Sequence, residues 1–163
     1  MNKYLNIDMD REIQEISESI RAALRNKLHR RGLVVAISGG IDSSVATALS
    51  VEALGPRKVF GVLMPETESS SESLERGTQL AEHLGITYVV KNIGETLRAI
   101  GCYDERDAAI RSVFHAYDIG WKIKIAITGG LHGRIKHFKL VVQDPVGAIF
   151  EKALPMNEYL TIV

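Results

Sequence analysis

Hydrophobic residues follow two alternating patterns over the first part of the chain. Apolar side chains recur every three or four positions over residues 10–31, which predicts an amphipathic helix that ends at Gly32. Residues 33–37 then form a short, continuous apolar run, which is typical of a strand buried on both faces of a parallel sheet. Residues 43–54 are small or apolar on nearly every side, which predicts a helix packed closely on that sheet.

The same alternation then occurs a second time. Residues 58–64 predict another apolar strand, residues 73–84 a helix, and residues 86–90 a third strand. Strands separated by helices of about a dozen residues favour right-handed crossovers, because parallel neighbours can be joined only by a long connection. We therefore predict an α/β fold, a three-layer parallel sheet with flanking helices, whose core is residues 10–93.

A different pattern begins after the third predicted strand. A helical stretch is predicted around residues 108–117, and apolar and polar residues alternate over 121–128, as in a half-exposed strand. A glycine-rich segment separates this strand from a second apolar run over 135–142. Residues 119–143 are therefore predicted to form a C-terminal antiparallel hairpin, and the residues from Met156 onward to start another helix.

The composition is typical of one soluble, folded domain. The 163 residues include 45% hydrophobic and 25% charged side chains, close to the globular average. Twenty basic and twenty acidic residues cancel, so no overall field favours nucleic acid or an anionic membrane. The single cysteine, Cys102, excludes an internal disulfide. We recognise neither a signal peptide nor a membrane span, and we expect a cytoplasmic protein.

The segment with the clearest chemistry is Ser38-Gly39-Gly40-Ile41-Asp42-Ser43-Ser44. It follows a predicted buried strand and opens a helix, so its main-chain N–H groups lie at the positive end of the helix dipole and can bind phosphate. The two glycines lack Cβ atoms and let the main chain approach phosphate oxygens, while the three serines offer hydroxyl donors.

Asp42 would repel a bare phosphate at this position. An acid beside a phosphate loop is useful if it binds Mg²⁺, since hard cations prefer carboxylate and phosphate oxygens. The structural alternative is that Asp42 only caps the helix and that the glycines form an ordinary turn. The loop has neither the Walker nor the dinucleotide spacing, which disfavours kinase and dehydrogenase functions.

Residues 38–44 match without a gap the signature of the N-type ATP pyrophosphatases, enzymes that cleave ATP to AMP and pyrophosphate. Within this group the chain resembles the NAD synthetases over residues 10–93. The resemblance implies an adenine nucleotide alpha hydrolase-like fold, a Mg²⁺ ion bound with the help of Asp42, and an adenine that lies against Leu63 and Met64. The ATP-binding residues that it implies are Ser38, Gly39, Gly40, Ile41, Asp42, Ser43, Ser44, Leu63 and Met64.

The resemblance also implies an ATP-dependent ligase that forms an amide. A substrate carboxylate attacks the α-phosphate of ATP, pyrophosphate leaves, and ammonia then displaces AMP. The leading instance is NAD synthesis from nicotinate adenine dinucleotide by a homodimer. The loop and Mg²⁺ would stabilise the charge that develops on pyrophosphate, so no side chain is required as a general base.

Two alternatives stay open at this point. One is another amide ligase or nucleotide-modifying enzyme of the same superfamily that acts on a different acid. The other is a truncated module that binds ATP or AMP without turnover, because family members continue beyond the matched region with a second ATP motif and a further Mg²⁺ ligand. We expect residues 1–163 to be a single ATP-binding domain that lacks this C-terminal half. The hairpin at 119–143 is unlike the family pattern and puts the usual dinucleotide substrate in question.

Three further groups of residues have both a functional and a structural interpretation, and we favour the structural one for each. The acidic residues of segment 65–75 either form a metal or amine site or favour the start of the next helix. The basic residues of segment 119–143 either steer a phosphorylated or nucleic-acid partner or protect a strand edge from pairing. The histidines and Cys102 lack the spacing of a zinc site and the setting of an activated nucleophile.

Overall fold

The computed structural model describes residues 7–128 and 137–162, and the chain divides into two compact units, 1–95 and 96–163. The first unit contains α1 (Met9–Ala22), a π-helical segment (Ala23–Leu28), β1 (Leu33–Ala36), α2 (Ile41–Leu54), a 3-10 turn (Pro56–Lys58), β2 (Val59–Leu63), α3 (Ser71–His83) and β3 (Thr87–Val90). Helix α4 (Gly94–Ala99) spans the division. The second unit contains α5 (Cys102–Val113), β4 (Lys122–Thr128), β5 (His137–Gln143), β6 (Ile149–Ala153) and α6 (Met156–Ile162). That residues 1–163 form one ATP-binding domain stays a prediction.

The first unit has the predicted parallel sheet, in the order β1-β2-β3. Helix α2 packs against β1 and β2, helix α3 packs against β2, and α1 packs against α2. The predicted α/β fold with flanking helices is therefore confirmed. Since all three strands run in the same direction, their carboxyl ends lie at one edge of the sheet and their amino ends at the opposite edge.

Two glycines lie where the core beneath α3 is tightly packed. A Cβ atom at Gly61 on β2 would lie 2.9 Å from Ile37 Cδ1, and one at Gly77 on α3 would lie 2.9 Å from Leu63 Cδ2. Both distances are below a normal carbon contact, so a larger residue at Gly77 would push the helix from the sheet, and one at Gly61 would displace the neighbouring side chains of the sheet. The core beneath α3 is formed by Ile37, Val59, Leu63, Ala81 and Ile86.

The prediction that residues 33–37 are buried on both faces is wrong. The register places Val34 beside Phe60, and their side chains are 70% and 38% exposed. On the opposite face of the sheet, Val59 and Leu63 are buried. The first strand is apolar on both faces, but only one face is covered in this structure. A continuous hydrophobic run therefore did not mean that both faces of the strand are buried.

The first helix also ends differently from the prediction. It passes into the π-helical segment and stops at His29, which adopts a left-handed conformation with φ 51°, three residues before Gly32. The N–H of Arg30 then donates to the Leu24 carbonyl at 3.0 Å, which closes the helix end. Histidine tolerates the left-handed region better than most residues, so the helix ends without a glycine.

The second unit contains an antiparallel sheet in the order β4-β5-β6. The pairing of β4 with β5 confirms the predicted hairpin, although the glycines expected in its turn lie at 129–136, outside the described residues. Ile110 of α5 and Leu140 and Val142 of β5 are fully buried in its core. Helix α6 begins at Met156, as predicted.

Two elements of this unit differ from the predictions. Helix α5 begins at Cys102, six positions before the predicted start at 108. Strand β6 was not predicted, because its Glu151-Lys152 pair interrupts an already short apolar run and all five of its residues are exposed. Among the described residues, no helix is both long enough and apolar enough to cross a membrane.

Candidate nucleotide-binding site

The predicted phosphate loop, residues 38–44, lies at the carboxyl edge of the parallel sheet, between β1 and α2. Gly39 has φ 77°, and a Cβ atom there would overlap the Ser73 carbonyl oxygen in the first turn of α3. Gly40 is the N-cap of α2 and has φ −87°, which any residue can adopt. The two glycines therefore have different functions: Gly39 allows the tight turn, whereas Gly40 leaves the space in front of the helix end open.

The first turn of α2 presents unpaired main-chain donors. The first helical hydrogen bond runs from the Ser44 N–H to the Gly40 carbonyl at 3.1 Å. The N–H groups of Ile41, Asp42 and Ser43 have no acceptor in the part of the chain that the structure describes. Such groups carry the positive end of the helix dipole, so they form a site for an anionic oxygen.

The serine side chains hold the loop in shape. The hydroxyls of Ser43 and Ser44 both donate to the Gly40 carbonyl, at 3.1 and 2.8 Å, and the Ser38 N–H donates to Ser43 Oγ at 3.2 Å. The N–H of Gly40 donates to Ser38 Oγ at 3.3 Å. We predicted these hydroxyls as phosphate donors, and here they fix the main-chain donors in place.

Asp42 is the second residue of α2 and its side chain is exposed. The structural alternative of a capping role fails, because the N-cap is Gly40 and no side chain caps this helix. The described residues contain no group of three His, Cys, Asp or Glu side chains that could bind a metal ion. That Asp42 binds a Mg²⁺ ion, which commonly takes one protein carboxylate and draws its other oxygens from phosphate and water, stays a prediction.

A cavity of about 100 Å³ adjoins the loop at the carboxyl ends of β1 and β2. Its lining brings together predicted residues from separate parts of the chain and residues that were not predicted: Ile37, Ser38, Leu63, Met64, Pro65, Ser69, Ser73 and Leu74. Leu63 is 1% exposed and belongs to the core, whereas Met64 is 45% exposed. Met64 is therefore the residue of this pair with a side-chain surface that an adenine could contact.

The acidic segment after β2 has local structural functions. Glu66 accepts hydrogen bonds from the Glu68 N–H at 3.0 Å and from Ser69 Oγ at 3.4 Å, which stabilises the turn. On α3, Glu72 pairs with Arg76, and Glu75 accepts from Gln79 at 3.2 Å. These contacts support the structural interpretation of the segment.

Two of the remaining polar groups, Lys139 and Tyr88, make side-chain contacts with glutamates. Lys139 pairs with Glu151 of the neighbouring strand at 3.3 Å, while Arg134, Lys136 and His132 lie outside the described residues. The hydrogen bond that Tyr88 donates to Glu82, 3.1 Å long, raises the pKa of the Tyr88 hydroxyl. Cys102 is exposed at the start of α5.

Sequence reasoning missed the residues of α3 that support the loop. Gly77 and Ser73 lie on the same helix, and a Cβ atom at Gly77 would come within 3.6 Å of the Gly39 nitrogen. The available signal was the pair of small residues on a helix that follows an apolar strand. A glycine inside a helix usually marks a close contact, and here that contact includes the phosphate loop.

Comparison with known proteins supplies a family. A family model described as NAD synthase matches residues 12–116. Relatives named NH(3)-dependent NAD(+) synthetase, from Rhizobium meliloti and Rhizobium rhizogenes, are 47% and 42% identical over 160 residues, 98% of this chain and 48% of each relative. The solved NH3-dependent NAD synthetase of Campylobacter jejuni has a TM-score of 0.54 and 27% identity, and the match covers 65% of this chain and 49% of that one.

The chain thus spans about half the length of the curated relatives that it matches. The two alignments cover nearly the whole chain, so most of the second unit has a counterpart in relatives that carry the NAD synthetase name. The hairpin at 119–143 therefore has a counterpart in these two relatives, whereas the family model ends at residue 116; that the hairpin is unlike the common family pattern stays a prediction.

Proposed function

Because the chain belongs to the NAD synthase family, we propose that it forms the ATP-binding part of an ammonia-dependent NAD synthetase. The observation that carries the proposal is the loop at residues 38–44, where the N–H groups of Ile41, Asp42 and Ser43 point from a helix start with no acceptor among the described residues. This arrangement suits an anionic leaving group at the carboxyl edge of an α/β sheet.

The proposed reaction has two steps. A carboxylate oxygen of nicotinate adenine dinucleotide attacks the α-phosphorus of ATP, the bond to the bridging oxygen breaks, and pyrophosphate leaves. Ammonia then attacks the activated carbonyl carbon, loses a proton, and displaces AMP, which leaves an amide. Negative charge accumulates on the pyrophosphate in the first step, so the loop donors lower that barrier most when they are already in position.

We assign Asp42 as a Mg²⁺ ligand and Met64 as an adenine contact within this proposal. The Asp42 side chain is exposed beside the free N–H groups, so an ion bound to it would lie next to a phosphate on the loop. Met64 and Ser38 line the same cavity, which allows one nucleotide to contact both. Bound Mg²⁺ would neutralise charge on the phosphates. Leu63 contributes by supporting this surface from the core.

The described residues supply only part of a nucleotide site. The cavity of about 100 Å³ is smaller than the roughly 300 Å³ at the lower end of small-molecule pockets. Because the chain also covers about half of its relatives, we propose nucleotide binding for this chain and amide formation for the longer enzyme. A homodimer, as the family implies, would in addition cover apolar surface such as that of Val34 and Phe60.

Titration calorimetry with ATP, with and without Mg²⁺, tests the loop. Replacing Gly40 by valine should abolish the Mg²⁺-enhanced binding of ATP at the loop, since the backbone at Gly40 accepts a side chain but the added methyls would occupy the phosphate position. The nearest atom to a Cβ at Gly40 is Ser38 Oγ at 3.4 Å, so the variant should still fold. Ala46→Val, on the exposed surface of the same helix, is the matched control. Unchanged affinity in Gly40→Val would refute the loop assignment.

A nucleotide-binding module without turnover is the second candidate, and the small cavity together with the lone carboxylate favours it for the isolated chain. Pyrophosphate release separates the two candidates. Release that requires both nicotinate adenine dinucleotide and ammonia supports the ligase, whereas ATP binding with no release supports the module. Release with other acids but not this one would identify a different ligase of the same superfamily.

A further inference from the structure

A second cavity lies at the amino edge of the parallel sheet, opposite the phosphate loop. It has a volume of about 340 Å³ and is lined by Arg21, Leu24, Arg25, Arg30, Arg31, Ala53, Leu54 and Lys58. Five of these side chains are cationic and none is acidic. Ser38 lies six positions after Gly32 along an extended strand, which places this cavity about 20 Å from the loop at about 3.3 Å per residue.

The fold brings these charges together from three parts of the sequence. The left-handed turn at His29 directs the chain from the helix back toward the sheet, just before Arg30 and Arg31. Gly32 then passes so close to β2 that a Cβ atom would lie 2.6 Å from the Lys58 carbonyl oxygen. Glycine at this position therefore allows Arg31 and Lys58 to lie side by side at the starts of β1 and β2.

The cationic side chains of the cavity lack acidic partners. Elsewhere in this unit arginines pair with glutamates, as Arg11 does with Glu15 at the start of α1 and Arg76 with Glu72 on α3. Within the described residues, Arg25, Arg31 and Lys58 have neither an ion pair nor a side-chain hydrogen bond, and Arg21 and Arg30 contact only main-chain carbonyls. The whole chain has zero formal net charge, so this concentration of positive charge is local.

Helix dipoles account for only part of this charge. The cavity adjoins the carboxyl ends of α2 and of the π-helical segment, and Arg21 donates to the Ala53 carbonyl at 3.0 Å. Each helix end is equivalent to about half a negative charge, so two ends balance about one cation. About four of the five positive charges therefore remain without a balancing negative charge.

We propose that this cavity binds a small anion that carries several phosphate groups. Guanidinium groups bind phosphate oxygens through paired, charge-assisted hydrogen bonds, and several of them surround one concavity here. A single phosphate carries about two negative charges at neutral pH, fewer than the roughly four unbalanced cations of the cavity, whereas a chain of phosphates carries enough. Part of the π-helical segment lines the cavity, which agrees with this assignment because such segments occur frequently at functional sites. The proposal does not depend on the loop assignment.

Calorimetry with inorganic tripolyphosphate tests the site. All measurements are made on the full chain carrying Gly40→Val, so that the phosphate loop does not contribute. The pair Arg25→Gln and Arg31→Gln removes two unpaired guanidiniums from the cavity, and Lys122→Gln with Lys124→Gln removes the same charge from exposed positions on β4. We expect about a hundred-fold weaker binding for the arginine pair and less than about two-fold for the lysine pair, because each charge-assisted bond contributes about ten-fold.

The remaining outcomes overturn the proposal. Equal weakening by the two pairs would mean that binding follows net charge and not the cavity. No binding of tripolyphosphate to the Gly40→Val chain would mean that the loop is the only phosphate site. A single-stranded oligonucleotide that binds more tightly than tripolyphosphate would assign the arginines to a nucleic acid instead. Circular dichroism of every variant confirms that the exposed substitutions leave the fold intact.

Discussion

The positive electrostatic potential at the two edges of the parallel sheet comes from different groups. At the carboxyl edge, the loop at residues 38–44 offers main-chain N–H groups at a helix start, and its side chains serve to hold those groups in place. At the amino edge, the cavity beside Arg31 and Lys58 offers flexible side chains on a floor formed by Leu24 and Ala53. The loop therefore depends on backbone geometry, and the cavity depends on side-chain charge. Substitutions that add a Cβ atom should therefore affect the loop, and substitutions that remove charge should affect the cavity.

The largest effect is expected for Gly39→Ala. Its φ of 77° strains any larger residue, and the new Cβ would overlap the Ser73 carbonyl oxygen on α3. Strain and overpacking each cost about 1–3 kcal/mol, so we expect the free energy of unfolding to fall by about 3 kcal/mol or more. Urea denaturation measures this loss. Gly40→Ala is the matched control and should lose less than about 1 kcal/mol, since its φ is −87° and the new contact is 3.4 Å. Equal losses would show that the loop backbone is not the constraint.

The sequence alone was sufficient to predict the loop and the order of the helices and strands around it. Residues 38–44 are contiguous, and their strand and helix have local periodicities that one segment reveals on its own. The support from Ser73 and Gly77 was not predictable in the same way, because it depends on how α3 is placed against β1 and β2. Local pattern therefore identified the donors but not the contact that fixes them.

The features that the sequence did not predict depend on tertiary neighbours. Val34 is as hydrophobic as Val59, yet one is 70% exposed and the other 3%, because burial depends on which layer covers each face. The four arginines of the amino-edge cavity lie within residues 21–31, but Ala53 and Lys58 join them only through the packing of α1 on α2 and the pairing of β1 with β2. Strand β6 has charged residues where a strand pattern would have apolar ones, and its pairing with β5 alone defines it.

The second prediction concerns Asp42 and separates the effect of charge from the effect of backbone geometry at the loop. Asp42→Asn keeps the shape of the side chain but removes its charge, so we expect Mg²⁺ to enhance ATP binding about ten-fold less than in the wild type. Binding measured without Mg²⁺ should change little or improve, since a repulsive carboxylate is gone. Glu52→Gln, exposed near the other end of α2, is the control with the same charge change. An identical Mg²⁺ response in Asp42→Asn would remove this residue from the metal site.

The third prediction uses salt to separate the two edges. Raising the salt concentration from about 0.05 M to about 0.3 M shortens the screening length to below about 6 Å, which weakens exposed charge pairs most. Tripolyphosphate binding to the arginine cavity should therefore weaken severalfold more than the binding of ATP without Mg²⁺ to the loop. Calorimetry at four salt concentrations gives the slopes, with Gly40→Val isolating the cavity and Arg25→Gln with Arg31→Gln isolating the loop. Parallel slopes would contradict the distinction between the two edges.

The smallest effect is expected when the Ser44 hydroxyl, which stabilises the loop, is removed. Ser44 Oγ donates to the carbonyl of Gly40, the N-cap of α2, at 2.8 Å, and this bond helps to hold the loop against the helix. Ser44→Ala removes it, so the loop should sample more conformations and ATP affinity should fall about three- to ten-fold, as expected for one neutral hydrogen bond. The change in unfolding free energy should stay below about 1 kcal/mol, because alanine has the higher helix propensity. Ser50 makes the same kind of bond, to the Ala46 carbonyl at 2.7 Å, one and a half turns further along α2. Ser50→Ala should therefore leave ATP affinity unchanged. If Ser50→Ala lowers ATP affinity as much as Ser44→Ala does, general helix stability controls nucleotide binding, and the position of the loop donors does not.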